Sequence, residues 1–292
     1  MEAPELVALL RGCRIAVLTG AGMSTDSGIP DYRGPDSPPS NPMTIRQFTS
    51  DPVFRQRYWA RNHLGWRHMD ATLPNAGHRA LAALETAGAV SGVVTQNVDL
   101  LHTKAGSGNV VDLHGTYARV ACLDCGHTMS RAALAELLEA ANPGFAERAA
   151  NSVGSIAVAP DADAVVGDTT AFRIVDCPRC GGMLKPDIVY FGENVPKERV
   201  EQAYSMVDEA DALLVAGSSL TVFSGYRFVR HAAAEGMPIA IINRGPTRGD
   251  DLATVKLDNG CSPMLALLAA ELPAISVSEP SRSDRTDTRI AI

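Results

Sequence analysis

The 292-residue sequence predicts a doubly wound α/β fold, a parallel Rossmann-like sheet carrying a smaller lobe. Three observations carry this. Short apolar runs without polar alternation, the mark of strands buried on both faces, recur along the chain and are separated by helical patterns. The first of these runs ends directly in a glycine loop. Two Cys-x-x-Cys pairs, 51 residues apart, lie in a stretch that breaks the alternation.

After a short helix-like opening, Arg14-Ile-Ala-Val-Leu18 reads as the first parallel strand, ended by Thr19-Gly20. Residues 35–42 are proline-rich, and the pattern turns helical from Pro52 to Met69. Asn75 is placed to cap a helix over Ala76 to Thr86, closed by Gly88. Strand-like runs follow at Val90 to Thr95 and Val110 to Leu113. Beyond the cysteine-bearing insertion, Pro196 starts a helix over Lys197 to Ala210, and Ala212 to Ala216 is again strand-like. A helix over Gly225 to Ala234 leads through Gly236-Met-Pro to strands at Ile239 to Asn243 and Val255 to Leu257. These elements divide the chain into a Rossmann-like domain (1–34, 71–117 and 185–272) and a small lobe (35–70 and 118–184). The polar, aperiodic residues 273–292 read as a disordered tail.

Composition excludes several classes of function. At 46% hydrophobic and 20% charged, the chain can bury a substantial core. Its net charge of −7 argues against a surface that grips nucleic acid or anionic lipid. The longest apolar runs are too short to span a bilayer, and the N-terminus lacks a cationic-then-apolar leader pattern, so a cytoplasmic protein is expected. Six cysteines, four of them in Cys-x-x-Cys pairs, suit a reducing compartment. Cys122, Cys125, Cys177 and Cys180 have the spacing of two knuckles around one Zn²⁺; four thiolates leave no open coordination position, so the metal is structural. Cys13 and Cys261 read as small buried side chains.

Gly20-Ala-Gly-Met-Ser-Thr25 follows the first strand, where backbone amides can approach a pyrophosphate at a helix N-terminus. A dehydrogenase fingerprint would need glycine where Thr25 stands and a second strand soon after. The next strand begins only near Val90, so the first crossover is long enough to carry a lid.

The continuation Ser27-Gly-Ile-Pro-Asp-Tyr-Arg-Gly34, with Thr95-Gln-Asn-Val-Asp99, Leu113-His-Gly115, Lys185-Pro-Asp-Ile-Val-Tyr-Phe-Gly-Glu193 and Gly217-Ser-Ser-Leu220, resembles the sirtuins, the NAD-dependent protein deacylases. The resemblance runs from about Ile15 to Leu268. Arg55-Gln-Arg-Tyr-Trp-Ala-Arg-Asn62, Ser224-Gly-Tyr-Arg-Phe228 and Pro246-Thr-Arg-Gly-Asp-Asp-Leu-Ala253 look most like the class II branch, which includes the lipoamidase-type sirtuin of animals.

The resemblance implies the site residues. Gly20, Ala21, Gly22, Asp31, Tyr32 and Arg33 would hold the phosphates and ribose of NAD, while Gln96, Asn97 and Asp99 would surround its nicotinamide end. His114 would be the general base, with Asn97 beside it; a near-neutral imidazole can take a ribose hydroxyl proton. The other six histidines read as structural. Gly217, Ser218, Ser219, Asn243, Arg244 and Cys261 would line the adenosine side, Cys261 through its backbone. Val189, Phe191, Gly192 and Glu193 match the segment that pairs with an acyl-lysine substrate as an added strand. Tyr58 and Arg61, three apart on one helical face, match the pair that grips an acyl carboxylate in desuccinylase-type sirtuins; as residues alone they read equally well as a core tyrosine and a solvated arginine. The implied activity is NAD-dependent removal of acyl groups from protein lysines by a monomer. Two alternatives stay open on sequence: transfer of ADP-ribose to protein, and a non-catalytic sensor of NAD or acyl-lysine.

Overall fold

A computed structural model describes residues 2–34, 42–152, 169–272 and 274. The expected tail apart from residue 274, the proline-rich stretch up to residue 41 and the loop over 157–168 lie outside the described residues. In chain order the elements are α1 (Glu2–Leu10), β1 (Ile15–Thr19), α2 (Ile45–Ser50), α3 (Pro52–Ala71), α4 (Ala76–Thr86), β2 (Val90–Thr95), α5 (Leu101–Ala105), β3 (Val110–Asp112), β4 (Gly115–Cys122), β5 (Thr128–Ser130), α6 (Arg131–Ala141), α7 (Phe145–Ser152), β6 (Leu184–Ile188), α8 (Lys197–Asp208), β7 (Ala212–Ala216), α9 (Phe223–Ala234), β8 (Ile239–Ile242), β9 (Val255–Leu257) and α10 (Cys261–Glu271).

Six parallel strands form the main sheet in the order β3-β2-β1-β7-β8-β9. The expected doubly wound parallel sheet is therefore present. Its strands are uninterrupted apolar runs because both faces are covered. Ile15 and Val17 point into a core shared with Leu6, Leu81, Leu265 and Leu268 of α1, α4 and α10. Ala16 and Leu18 point the other way, into a core with Val207, Phe228 and Val229 of α8 and α9. The chain leaves β1 toward β2 and β3, then returns to β7 on β1's other side. Strand order thus reverses between β1 and β7, and the loops after those two strands open a crevice where folds of this class bind ligands.

Asn75 does cap α4: its side chain accepts from the amides of Gly77 and His78, and His78 Nδ1 accepts from the Asn75 amide in return. Asp51 caps α3 with its carboxylate alone, accepting from the amides of Val53 and Phe54, with Pro52 in the first turn where its missing N–H costs nothing.

A second, antiparallel sheet (β5-β4-β6) forms the frame of the cysteine-bearing region. Its core joins Val120, Leu134, Phe145 and Phe172 to the α3 aromatics Tyr58 and Trp59. One side chain there is unusual: Arg131 is buried between Trp59 and Trp66 and donates to Asn62 Oδ1. Desolvation holds its guanidinium down to about 9.

Candidate functional site

The loops after β1 and β7 interlock by backbone. The Gly22 amide donates to the Gly217 carbonyl at 2.9 Å, and Gly20 to Ala216 at 3.2 Å. Side chains have no room here: a Cβ on Gly217 would stand 2.3 Å from the Met23 nitrogen, and one on Gly20 would stand 2.8 Å from the Gly217 oxygen. Gly217 also has φ +67°, a left-handed conformation that L side chains rarely adopt. Beside this seam runs a cleft of about 790 Å³.

Three expected residues meet at the carboxyl end of β2. Asn97 donates through Nδ2 to the Gly20 carbonyl (3.0 Å) and to Ser24 Oγ (3.1 Å). Ser24 in turn donates to Asp99 Oδ2 at 2.6 Å, and the Leu101 amide donates to Oδ1 at 2.9 Å. Asp99 is buried; desolvation raises its pKa against the pull of those hydrogen bonds. Gln96 accepts from Ser218 Oγ at 2.7 Å, tying this loop to the one after β7.

His114, just beyond β3, lines the same cleft. Its Nδ1 lies 2.9 Å from the Gln96 carbonyl oxygen. A carbonyl only accepts, so the ring proton belongs on Nδ1, and Nε2 is left to accept from Ser224 Oγ at 2.8 Å. Burial pushes the imidazole down to about 4, which keeps it neutral around pH 7 and able to take a proton.

The remaining expected residues distribute as follows. Gly20, Ala21, Gly22, Asp31, Tyr32, Arg33, Ser219, Asn243 and Arg244 line the cleft. Asp31 accepts from the Gly34 amide at 2.9 Å, and the ring of Tyr32 meets that of Phe191 edge-on. Cys261 instead lines an adjoining cavity of about 230 Å³, which shares Asn243 and Arg244 with the cleft. Its thiol is buried and pushed up to about 12 by desolvation, leaving it inert as a nucleophile. Val189, Phe191, Gly192 and Glu193 form the opposite wall. That wall is held by backbone: Val189 N donates to the His114 carbonyl at 2.8 Å, and Ile45 N donates to Phe191 O at 3.0 Å. Glu193 accepts from Lys185 Nζ and from the Tyr190 amide.

Tyr58 and Arg61 do not line the cleft. Tyr58 is 1% exposed and packs edge-on against Tyr190, which does line it; Arg61 is half-buried on the same helix. Ser24, Ser224 and Arg227 are cleft residues that sequence reasoning did not single out. Lone hydroxyls have no local pattern that marks them. Arg227 stands inside a segment noticed only for its branch resemblance.

The four paired cysteines converge: their sulfur atoms lie within 4.8 Å of one another. Cys122 and Cys180 approach to 3.5 Å and Cys125 and Cys177 to 3.9 Å. A tetrahedron with Zn–S bonds of about 2.3 Å has sulfur–sulfur edges of about 3.8 Å, so the donor set and its spacing fit Zn²⁺. Amides of Cys125 and Asp124 directed at the Cys122 sulfur lower that thiol to about 7, favouring the thiolate a metal needs.

A glycine-walled crevice at the strand-order reversal, a neutral half-buried imidazole and a four-sulfur cluster point one way, and a family model described as the Sir2 family matches residues 20–224. The chain belongs to the Sir2 family. It is 78% identical over 271 residues to NAD-dependent protein deacetylase 1 of Mycobacterium avium (strain 104), covering 93% of this chain and 96% of that one. It is 52% identical over 267 residues to NAD-dependent protein deacetylase 1 of Streptomyces coelicolor, covering 90% and 87%. Among solved structures, a Sir2–p53 peptide–NAD⁺ complex superposes with a TM-score of 0.71 at 30% identity, covering 93% of this chain and 98% of that one. The crevice fits NAD on this structure's own terms, because Gly20, Gly22 and Gly217 line it together with the hydroxyls of Ser218 and Ser219 and the guanidinium groups of Arg33 and Arg244, donors suited to phosphate and ribose. The sirtuin resemblance read from the sequence is thereby established at the level of the family.

Proposed function

We propose that this chain is an NAD-dependent protein lysine deacylase that releases nicotinamide, free lysine and 2'-O-acyl-ADP-ribose. The observation that carries the reading is His114: a half-buried, neutral imidazole whose Nε2 faces a hydroxyl in the same cleft as Asn97 and the glycine seam. NAD, when bound, supplies the C1′ carbon from which nicotinamide departs and the ribose that receives the acyl group.

The chain's own residues bind, orient and move a proton. Gly20, Ala21, Gly22 and Gly217 line the cleft and offer their backbone to phosphate. Asp31, Tyr32, Arg33, Ser218, Ser219, Asn243 and Arg244 hold the nucleotide, with Cys261 at the adenine end. Gln96, Asn97 and Asp99 orient the nicotinamide half; the Ser24 hydroxyl keeps Asn97 and Asp99 in register. His114 Nε2 accepts the ribose hydroxyl proton in place of the Ser224 hydroxyl. The segment Val189, Phe191, Gly192 and Glu193 pairs with the peptide as an added strand. In this division of labour, residues 1–34, 71–117 and 185–272 bind NAD. The 35–70 and 118–184 segments, with the zinc cluster, close over them.

The finer reading places the enzyme in the class II, lipoamidase-type branch, with acyl selectivity reaching acidic or longer chains through Tyr58 and Arg61. Supporting it are the spacing of the pair on α3 and the contact of Tyr58 with the cleft-wall residue Tyr190. The reading carries with it a cytoplasmic monomer acting on acyl-lysine proteins, without nucleic-acid or membrane partners. No helix among the described residues is long and apolar enough to cross a membrane. A panel of acetyl-, succinyl-, methylglutaryl- and lipoyl-lysine peptides, with nicotinamide release followed by mass spectrometry, tests the proposal. Absence of release on every peptide would refute it, whereas protein labelling by NAD that outruns deacylation would favour ADP-ribose transfer. Equal losses on all acyl groups in Arg61→Met would remove the Tyr58 and Arg61 assignment alone.

A further inference from the structure

Three arginines line the cleft: Arg33, Arg227 and Arg244. The proposed nucleotide contacts occupy two of them, and Arg244 also borders the adjoining cavity at the adenine end. Arg227 has no such role. It sits one turn beyond Ser224 on α9, and Ser224 touches His114 Nε2, so Arg227 is at the reacting end of the cleft. Its guanidinium stacks over the ring of Phe223, 5.4 Å from the centroid, and Phe223 is 48% exposed at the rim.

What distinguishes Arg227 among the three is a buried guanidinium nitrogen, Nε, left without a hydrogen bond, and among the described residues no ion pair holds the side chain. The cleft's own carboxylates are engaged elsewhere. Asp99 accepts from Ser24 and the Leu101 amide, Glu193 from Lys185 and the Tyr190 amide, and Asp31 from the Gly34 amide. A guanidinium that is partly desolvated, held over an aromatic ring and left without an ion pair is able to take a planar anion in two parallel N–H···O bonds. Leaving that donor unmatched is costly, and an incoming carboxylate relieves the cost.

We propose that Arg227 receives a carboxylate carried by the acyl-lysine substrate and so sets the enzyme's preference for acidic substrates. This rests on the deacylase reading above and sharpens it, giving the carboxylate to Arg227 in place of the Tyr58 and Arg61 pair, which does not line the cleft. The carboxylate has two sources with one chemistry, the distal end of an acidic acyl chain or an aspartate or glutamate beside the modified lysine.

Four peptides separate the sources: acetyl- or succinyl-lysine, each flanked by alanine or by glutamate. Steady-state kcat/KM for each is measured with wild type, Arg227→Gln and Arg227→Lys, and NAD binding by calorimetry verifies that the variants are folded. The expected wild-type result is a preference of about tenfold for the carboxylate-bearing peptide along one axis, reduced to near unity in Arg227→Gln and partly restored in Arg227→Lys. Preference along the acyl axis identifies the acyl chain; preference along the flank axis identifies the peptide. Wild-type turnover equal on all four peptides, or a preference that survives in Arg227→Gln, would overturn the role of Arg227 while leaving the deacylase reading intact. No turnover on any peptide would bring down both.

Discussion

Two histidines buried beneath the site make the fold sensitive to acid in a way that can be worked out in advance. His78 is wholly buried in α4, its ring 4.8 Å from that of the equally buried His102. Desolvation, with Arg79 adding to it, lowers His78 from 6.5 to about 4, and burial drives His102 well below its usual value. The folded state therefore holds both rings neutral, whereas the unfolded chain protonates them near 6.5. Stability from this source is fully present above pH 6.5 and is lost as pH falls toward the folded value, because the unfolded state binds the extra proton. Between pH 6.5 and 5 the loss from His78 alone is one and a half pH units at about 1.4 kcal/mol each, or about 2 kcal/mol, and His102 acts in the same direction. The perturbation is His78→Gln, which removes the titration but keeps a side chain able to accept from the Asn75 amide at the third helical position. Urea denaturation at pH 7.5, 6 and 5 reads the effect. Wild type should weaken over this range by about 2 kcal/mol more than the variant. Identical pH dependence in the two proteins would refute the argument.

For catalysis, the acid limb of kcat/KM should fall near pH 4, following His114, and not near the 6.5 of a solvated imidazole; a limb between 6 and 7 would assign the proton to another group. His114→Ala should lower kcat by about a hundredfold or more while NAD still binds by calorimetry. Gly217→Ala should lose NAD binding and destabilise the fold by about 2 kcal/mol or more, since its Cβ meets Met23 N; an unchanged melting temperature and Kd would contradict the interlocked loops. Stripping metal with a strong chelator should release one Zn²⁺ per chain, measured by a colorimetric indicator, and lower the melting temperature along with activity; full activity after release would show that the lobe does not depend on its cluster.

The sheet was legible in the sequence because strands covered on both faces carry little but apolar side chains. The runs at Val90 to Thr95, Ala212 to Ala216 and Val255 to Leu257 match β2, β7 and β9 to the residue. Asn75 and Gly88 likewise marked α4, through a capping side chain and a left-handed closing glycine. The second sheet went unread. β5 is three residues of which Thr128 and Ser130 are exposed, and β4 pairs with β6 across some sixty intervening positions, a separation that no local pattern encodes. α2 and α6 were missed for a related reason: each sits in a stretch noticed for its prolines or cysteines. Within the cleft, glycines and His114 announced themselves by motif. Ser24 and Ser224 did not, since a hydroxyl acquires its role only from what the fold sets against it.

One backbone hydrogen bond has a consequence beyond geometry. The amide of Val189 donates to the carbonyl of His114, so the strip of chain we assign to the incoming peptide is fastened to the backbone of the residue we propose as base. Docking and proton transfer then share a single mechanical link. A cyclic mimic that pried this strip outward would pull on the backbone from which the imidazole hangs, and on that proposal should slow turnover even in an enzyme already saturated with dinucleotide.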